Sequence, residues 1–332
     1  MSEFIRVSVG TAATLDLLHC RLDALPTTAY TMTSTENRCR ANCAFCAQAR
    51  SSNAKSNQLS RITWPKFSRS QIIRALEMTK QTGQFQRLCI QTLYYPNLME
   101  DLKQLVKEFT QHLPSIPISI ALPPFELDQI QHLFNLGVDR VAISLDAATP
   151  KLFESIKGNG VKGPFRWEHH KTALQSALSI FGAGRTTTHI IIGLGETDEQ
   201  AITLFQELTD QGITIGLFPF TPISGTALAE QHRPSIKRYR RIQLTHFLIQ
   251  NQLAHLSQMK FNSPQKQLVH IDLPIEALRE VIECGTAFQT SGCPSCNRPF
   301  FTENPGGPLY NYPRPPNETE IKEIRNQLGG LF

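Results

Sequence analysis

The sequence predicts an α/β protein of TIM type, a (β/α) barrel followed by an irregular C-terminal extension. Three observations carry this prediction. Short apolar runs rich in β-branched residues alternate with stretches of helical periodicity. The connections between them are short, as in βα units. The 332 residues fit either one large barrel or two ordinary domains, and the unbroken alternation favours the barrel.

The elements follow in order. Residues 1–28 form an N-terminal segment, 29–290 the barrel, and 291–332 a C-terminal cysteine motif and tail. "AYTM" (29–32) is the first strand; "RLCIQTL" (87–93), "PISIALP" (117–123), "DRVAISLDA" (139–147), "THIIIGLGE" (188–196) and "ITIGLFPF" (213–220) are the second to sixth. Weaker runs near 259–261 and 286–290 would complete eight. In "EDLKQLVKEFTQHL", Leu102, Leu105, Val106, Phe109 and Leu113 recur at steps of three and four, which marks one buried stripe of a helix. Similar stripes fit 70–82, 126–136, 167–181, 198–210 and 235–256. Gly83 and Gly137 stand where helix C-termini need positive φ. In such a barrel the loops after the strands form the active face. The tail after 297 is rich in Pro, Gly and aromatics, and Phe300, Phe301, Tyr310 and Tyr312 are expected as packing before a last helix at about 318–328.

Composition narrows the class. With 40% hydrophobic and 18% charged residues the chain reads as a globular enzyme, not a disordered protein. A net charge of +5 is mild and its basic residues are scattered apart from "KRYRR" (237–241), so no nucleic-acid stripe is expected. Lys237, Arg238, Arg240 and Arg241 are expected on a solvated helix face, with docking of an acidic partner as the alternative. The start, "MSEFIRVSVG", lacks a signal-peptide pattern and no apolar run reaches the roughly 18 residues of a membrane span, so a cytoplasmic protein is expected.

Eight cysteines in a reducing compartment point to metal more than to disulfides. Six fall into two groups, Cys39, Cys43, Cys46 and Cys284, Cys293, Cys296, whereas Cys20 and Cys89 stand alone and are expected as small buried hydrophobes, with a functional role as the alternative for Cys89. The first group lies in the long loop after strand one. Zinc would need a fourth ligand, and residues 31–60 hold neither histidine nor another cysteine. Three thiolates on a four-iron cube leave one iron open to a ligand from outside the protein.

"CRANCAFC", a CxxxCxxC run with an aromatic before its last cysteine, resembles the motif of the radical S-adenosylmethionine (SAM) enzymes. The resemblance implies a 4Fe-4S cluster on Cys39, Cys43 and Cys46, whose open iron binds the amino and carboxylate groups of SAM. Reduction then releases a 5'-deoxyadenosyl radical, so the cofactor carries the hard chemistry. It also implies SAM contacts elsewhere. "GLGET" (193–197) is similar to a run in biotin and lipoyl synthases that lines the adenosine pocket, which points to Ile192 and Glu196. "SLDA" (144–147) resembles the strand-four motif that holds the ribose, which points to Ser144 and Asp146. Phe45 would cover the adenine through its backbone. Strand two has "QTLYYPN" in place of a GGE-like run, so Gln91 or Thr92 takes that role. His169 and His170 open a helix beside the active face, as a partly exposed pair or as a contact to the SAM carboxylate.

"CGTAFQTSGCPSCNRPFF" gives Cys284, Cys293 and Cys296 the character of a second metal site, expected where an eighth strand would end. The alternatives are an auxiliary 4Fe-4S cluster facing the interior and a structural zinc knot, the fourth ligand being Ser291, Ser295, Arg298 or an exogenous molecule. Over roughly residues 30–290 the chain is similar to biotin synthase. The cysteines that hold the second cluster there are matched at Cys89 but not in "PISIALP" or "TTTHIII". Common lipoyl synthases also fit poorly, since only Cys20 precedes the triad and no serine-rich terminal run is present. "SGCPSCNRPFF" followed by "PGGPLYNYPRP" resembles the biotin-synthase-like pair of proteins that together make lipoyl groups. That resemblance implies sulfur insertion at C6 or C8 of an octanoyl chain, with the auxiliary cluster as donor. It implies as partners an octanoylated lipoyl-carrier protein or domain, a second lipoyl synthase component and an electron donor such as ferredoxin. The rivals are biotin synthesis, a methylornithine-type carbon-skeleton rearrangement and a non-catalytic, metal-stabilised binding scaffold.

Overall fold

The computed structural model describes residues 2–329 and 331. Its strands are β1 (Phe4–Val7), β2 (Thr28–Thr33), β3 (Gln58–Leu59), β4 (Ile62–Thr63), β5 (Lys66–Ser68), β6 (Arg87–Gln91), β7 (Ile118–Leu122), β8 (Arg140–Ile143), β9 (Thr186–Ile192), β10 (Thr214–Pro219), β11 (Met259–Phe261) and β12 (Leu268–Ile271). Its helices are α1 (Val9–Thr14), α2 (Arg69–Thr79), α3 (Leu98–His112), α4 (Leu127–Asn135), α5 (Pro150–Ile156), α6 (Trp167–Phe181), α7 (Asp198–Asp210), α8 (Ile236–Gln250), α9 (Ile275–Cys284) and α10 (Glu318–Leu328).

Eight strands form one sheet in the order β10-β9-β8-β7-β6-β2-β1-β5. The six from β2 to β10 run parallel, each followed by helical cover, and give a TIM-barrel-like arc. The remaining two extend it antiparallel: β1 pairs with β2 in the register Ile5↔Thr33 and with β5 in the register Ile5↔Phe67. The expected stripe of α3 is buried as Leu102, Leu105, Val106, Phe109 and Leu113. Sequence signals set the helix starts: Ser68, Thr149, Thr197, Ser235 and Asn317 each accept a backbone N–H in the first turn, and Thr197 and Asn317 do so in capping boxes.

The seventh and eighth strands differ from expectation. Residues 259–261 do form a strand, but it pairs with β12 in a separate hairpin. At 286–290 the chain makes a 3-10 turn over Thr286–Phe288 and then one bridge, Gln289 to Tyr312. Among the described residues no strand joins the edges β10 and β5. The tail spans that gap. Ser60 Oγ and Arg61 N, in the β3–β4 turn beside β5, donate to Phe301 O at 2.6 and 2.9 Å. From the β10 side, Thr221 Oγ1 and Arg233 Nη2 donate to Thr302 O at 3.1 and 2.8 Å. Phe301 also packs on Tyr30 and Trp64, with ring centroids 4.9 and 5.7 Å apart.

The "KRYRR" arginines hold the fold together and present no basic face. Arg238 pairs with Glu196 at 2.9 Å and Asp198 at 2.7 Å, and Arg241 Nη1 donates to Leu268 O at 3.3 Å. Arg240 is fully buried, donating to Gln327 Oε1 (2.8 Å), Gln243 Oε1 (2.6 Å), Tyr310 O (2.6 Å) and Leu309 O (2.5 Å). One guanidinium thus ties α8 to the tail and to α10, with each of its three nitrogens bonded. No helix among the described residues is long and apolar enough to cross a membrane.

Candidate active site

The parallel arc encloses a cavity of about 300 Å³. Strand alternation decides who faces it. On β6, Leu88 and Ile90 are buried under the helices while Cys89 and Gln91 line the cavity; on β9, Ile190 and Ile192 are buried while His189 and Ile191 line it.

The CxxxCxxC loop crosses the C-terminal ends of the strands. Arg40 N donates to Tyr94 O at 2.8 Å, and Tyr94 N donates to Cys39 Sγ at 3.2 Å. Inside the loop, Arg38 donates to the carbonyls of Ala47 (2.8 Å) and Ala54, and Gln48 to those of Ser56 (2.9 Å) and Gln58. These bonds satisfy backbone groups that no strand or helix would pair, so the loop is a fixed platform. Cys39, Cys43 and Cys46 all face the cavity. Burial pushes the Cys46 thiol up to about 12 and raises Cys39 and Cys43, which the nearby Lys157 ammonium pulls back in part. Three soft donors beside a buried cation fit a four-iron cluster, and these three residues would hold it.

A second loop braces this platform: Gly225 O accepts from Asn53 N at 2.8 Å and Ser52 Oγ at 3.1 Å. Gly225 has φ +85°, and a Cβ there would lie 2.4 Å from Ala54 N. Gly225→Ala is therefore expected to cost about 1–3 kcal/mol in strain. Thermal unfolding should show the loss, and iron bound after reconstitution should fall with it.

The structure brings together most of the residues expected to contact SAM. Phe45, Gln91, Thr92, Ser144 and Asp146 line the cavity. Ser144 Oγ bonds His189 Nδ1 at 2.8 Å, and Asp146, at φ +63°, pairs with Lys157 at 2.6 Å. Ile192 and Glu196 are placed elsewhere. Ile192 packs under the helices because its neighbour Ile191 takes the inward position. The Glu196 carboxylate accepts from Gly193 N at 2.8 Å and Leu194 N at 3.0 Å and pairs with Arg238, so it fixes the GLGE turn from within. His170 lines the cavity and His169 does not. Burial, with Lys157 nearby, pushes His170 down to about 2; burial, with Arg298 and Lys157, pushes His189 down to about 3. Both imidazoles are neutral near pH 7.

Lys157 is a cavity residue that the sequence did not single out. Its ammonium donates to Asp146 Oδ2 and Ser144 O and lies 5.5 Å from the ring centroids of Phe153 and Phe165. A lone lysine directly before a glycine turn gives no local signal. Only the return of the chain after α5 carries it in.

The second cysteine group separates. Cys284 ends α9, exposed, its Sγ 3.1 Å from Thr286 Oγ1. Cys293 and Cys296 line the cavity, and Cys89 lines it with them. Cys20 is exposed, against expectation. The Cys293–Cys296 loop lies at the N-terminal ends of the strands, opposite to the expected end. Thr27 and Thr28 hydroxyls donate to Ser295 O at 2.6 and 2.8 Å, and Arg87 Nε donates to Pro294 O at 3.2 Å. Ser295 Oγ is spent on Gln86 and Ser291 Oγ on Leu217 N, whereas the Arg298 guanidinium reaches the cavity. Cys39 Sγ accepts from Tyr94 N, beyond the C-terminal end of β6, whereas Cys293 and Cys296 sit on the loop at the N-terminal ends, so the two thiol groups face one cavity from opposite ends.

The Radical SAM superfamily model matches residues 33–208. GTP 3',8-cyclase from Picosynechococcus sp. is 27% identical over 201 residues, 60% of this chain and 58% of that protein, so the chain spans under three fifths of this curated relative. Among solved structures, methylornithine synthase superposes with a TM-score of 0.53 at 15% identity, over 90% of this chain and 80% of its own. The FeFe-hydrogenase maturase HydG from Carboxydothermus hydrogenoformans superposes with a TM-score of 0.54 at 13% identity, over 77% of this chain and 66% of its own. At such identities these structural likenesses speak for the fold alone.

Proposed function

Because this chain belongs to the radical SAM superfamily, we propose that it is a SAM-dependent enzyme that inserts sulfur at C6 or C8 of a protein-bound octanoyl chain, as a component of lipoyl synthesis. The observation that carries this reading is the single cavity with one thiol group at each end. When bound, the cluster and SAM supply a radical able to take hydrogen from an unactivated carbon. The chain's own residues then have three tasks. Leu93, Leu122, Phe165, Ile191, Phe218 and Phe220 give walls that accept an acyl chain and exclude water. Ser144, Asp146 and Lys157 hold polar groups of SAM near the first thiols. The second thiol group marks the end where sulfur is delivered, so a substrate carbon held between the two is within reach of both. An octanoylated carrier domain, a second lipoyl synthase component and a ferredoxin-like donor are the partners of this reading.

A carbon-skeleton rearrangement is the second reading, since it would use the same apolar cavity and needs no sulfur donor at the second thiol group. GTP cyclisation suits the cavity less well. A nucleoside triphosphate brings several negative charges, and the lining offers two constitutive cations, Lys157, already paired with Asp146, and Arg298.

The test uses anaerobically reconstituted protein with SAM and dithionite, given either an octanoyl-lysyl carrier domain or GTP. Release of 5'-deoxyadenosine that rises with the octanoyl domain, together with a mass gain of sulfur on that domain, is the expected result. Turnover of GTP, or SAM cleavage indifferent to the octanoyl domain, would refute the reading.

A further inference from the structure

We propose that Cys89, Cys293 and Cys296 form a second iron–sulfur cluster site at the N-terminal end of the arc, with Arg298 as its counter-charge and without Cys284. The site is independent of the sulfur-insertion reading, since a cluster there would serve electron transfer equally.

Packing puts these thiols together. Cys89 on β6 pairs in register with Tyr30 on β2. The Tyr30 hydroxyl lies 3.5 Å from Cys296 Sγ and accepts from Arg298 N at 2.8 Å, so the neighbour of Cys89 across the sheet holds the CxxC loop. That loop is pinned by its backbone to Thr27, Thr28 and Arg87 while its thiols turn inward. The left-handed φ values at Gly292 (+129°), Ser295 (+64°) and Arg298 (+33°) are how a short loop makes that turn.

The surroundings suit thiolates bound to iron. Gln91 Nε2 donates to Cys89 Sγ at 3.2 Å, and Arg298 Nη1 lies 3.8 Å from Cys296 Sγ. Arg298 is itself fixed, donating to Ser291 O at 3.0 Å and stacked with its guanidinium carbon 3.9 Å from the Phe218 centroid. Hydrogen bonds and fixed charge at the sulfurs are what tune such clusters.

The experiment isolates the second site by changing Cys39, Cys43 and Cys46 together to Ala in the full chain. Iron, labile sulfide and zinc are then measured after anaerobic reconstitution, with Mössbauer spectra and a melting curve to establish folding. About four irons per chain should remain, survive Cys284→Ser, and be lost with either Cys89→Ser or Cys89→Ala, and with Cys293→Ser. Arg298→Gln should keep the iron and lower the potential of the cluster, because a positive charge is removed. No iron in this background, zinc in its place, or loss with Cys284→Ser but not with the Cys89 variants would overturn the site. Loss of iron, or an unmoved potential, in Arg298→Gln would overturn the part given to that residue. None of these readouts depends on octanoyl turnover.

Discussion

Changing any one of Cys39, Cys43 or Cys46 to alanine is expected to abolish reductive SAM cleavage and to remove about four irons per chain. Each of the three thiols lines the same end of the cavity, and no fourth cysteine or histidine in the loop can substitute. Apart from Cys39 Sγ, which accepts from Tyr94 N at 3.2 Å, the loop's scaffold rests on other side chains: Arg38 and Gln48 bond carbonyls, and Asn42 Nδ2 holds Val161 O at 2.6 Å. Folding should therefore survive, with melting temperatures of apo wild type and apo variant close together. Iron analysis, 5'-deoxyadenosine assays and melting curves together test this. Cleavage persisting in a folded variant would remove the triad from the chemistry.

Arg240→Ala is expected to be the most destabilising single change in the chain. It strips partners from two carbonyls and two side-chain amides in a fully buried position. Unmet buried acceptors cost about 1–3 kcal/mol each before water enters. A net loss of about 3 kcal/mol or more follows, which is a fall in Tm of roughly 6–12 °C at 2–4 °C per kcal/mol for large domains. Arg240→Lys should rescue little, because an ammonium cannot span four acceptors spread over α8, α10 and the tail. Limited proteolysis should cut first near residues 304–310, which Arg240 anchors. A melting curve unchanged from wild type would show that α10 and the tail hold without it.

Much of the arc was legible because its signals are local. Alternation places β2 and β6 to β10 within a few residues, and the stripes place α3, α6 and α7 closely. The first triad is legible for the same reason, as eight residues contain its whole spacing. Failure came where partners are distant in sequence. Cys284 looked like the mate of Cys293 because it is near in the chain, but α9 leaves it at an exposed end and Gly285, at φ +73°, turns the chain away. Cys89 looked solitary because its neighbours in space are some two hundred residues on. One signal was available: Gln91 was expected at the cavity, and on a strand Cys89 must share its face. Likewise nothing in "KRYRR" reveals that its arginines point inward. Two of the acceptors that Arg240 meets, Leu309 O and Tyr310 O, are backbone groups that any sequence would carry.

The gap between β10 and β5, spanned by residues 301–303, has a consequence for the order in which the molecule is completed. Cys39 to Cys46 emerge together from the ribosome, and strands β6 to β10 can pair as they follow. The cavity has no lower wall until residues 293–303 arrive, since loop closure over such a separation precedes any contact it rewards. A nascent chain thus holds one finished thiol group long before the other. The same stretch that seals the arc also carries Cys293 and Cys296 into the cavity that Cys89 lines, so closure and the gathering of those thiols are a single event.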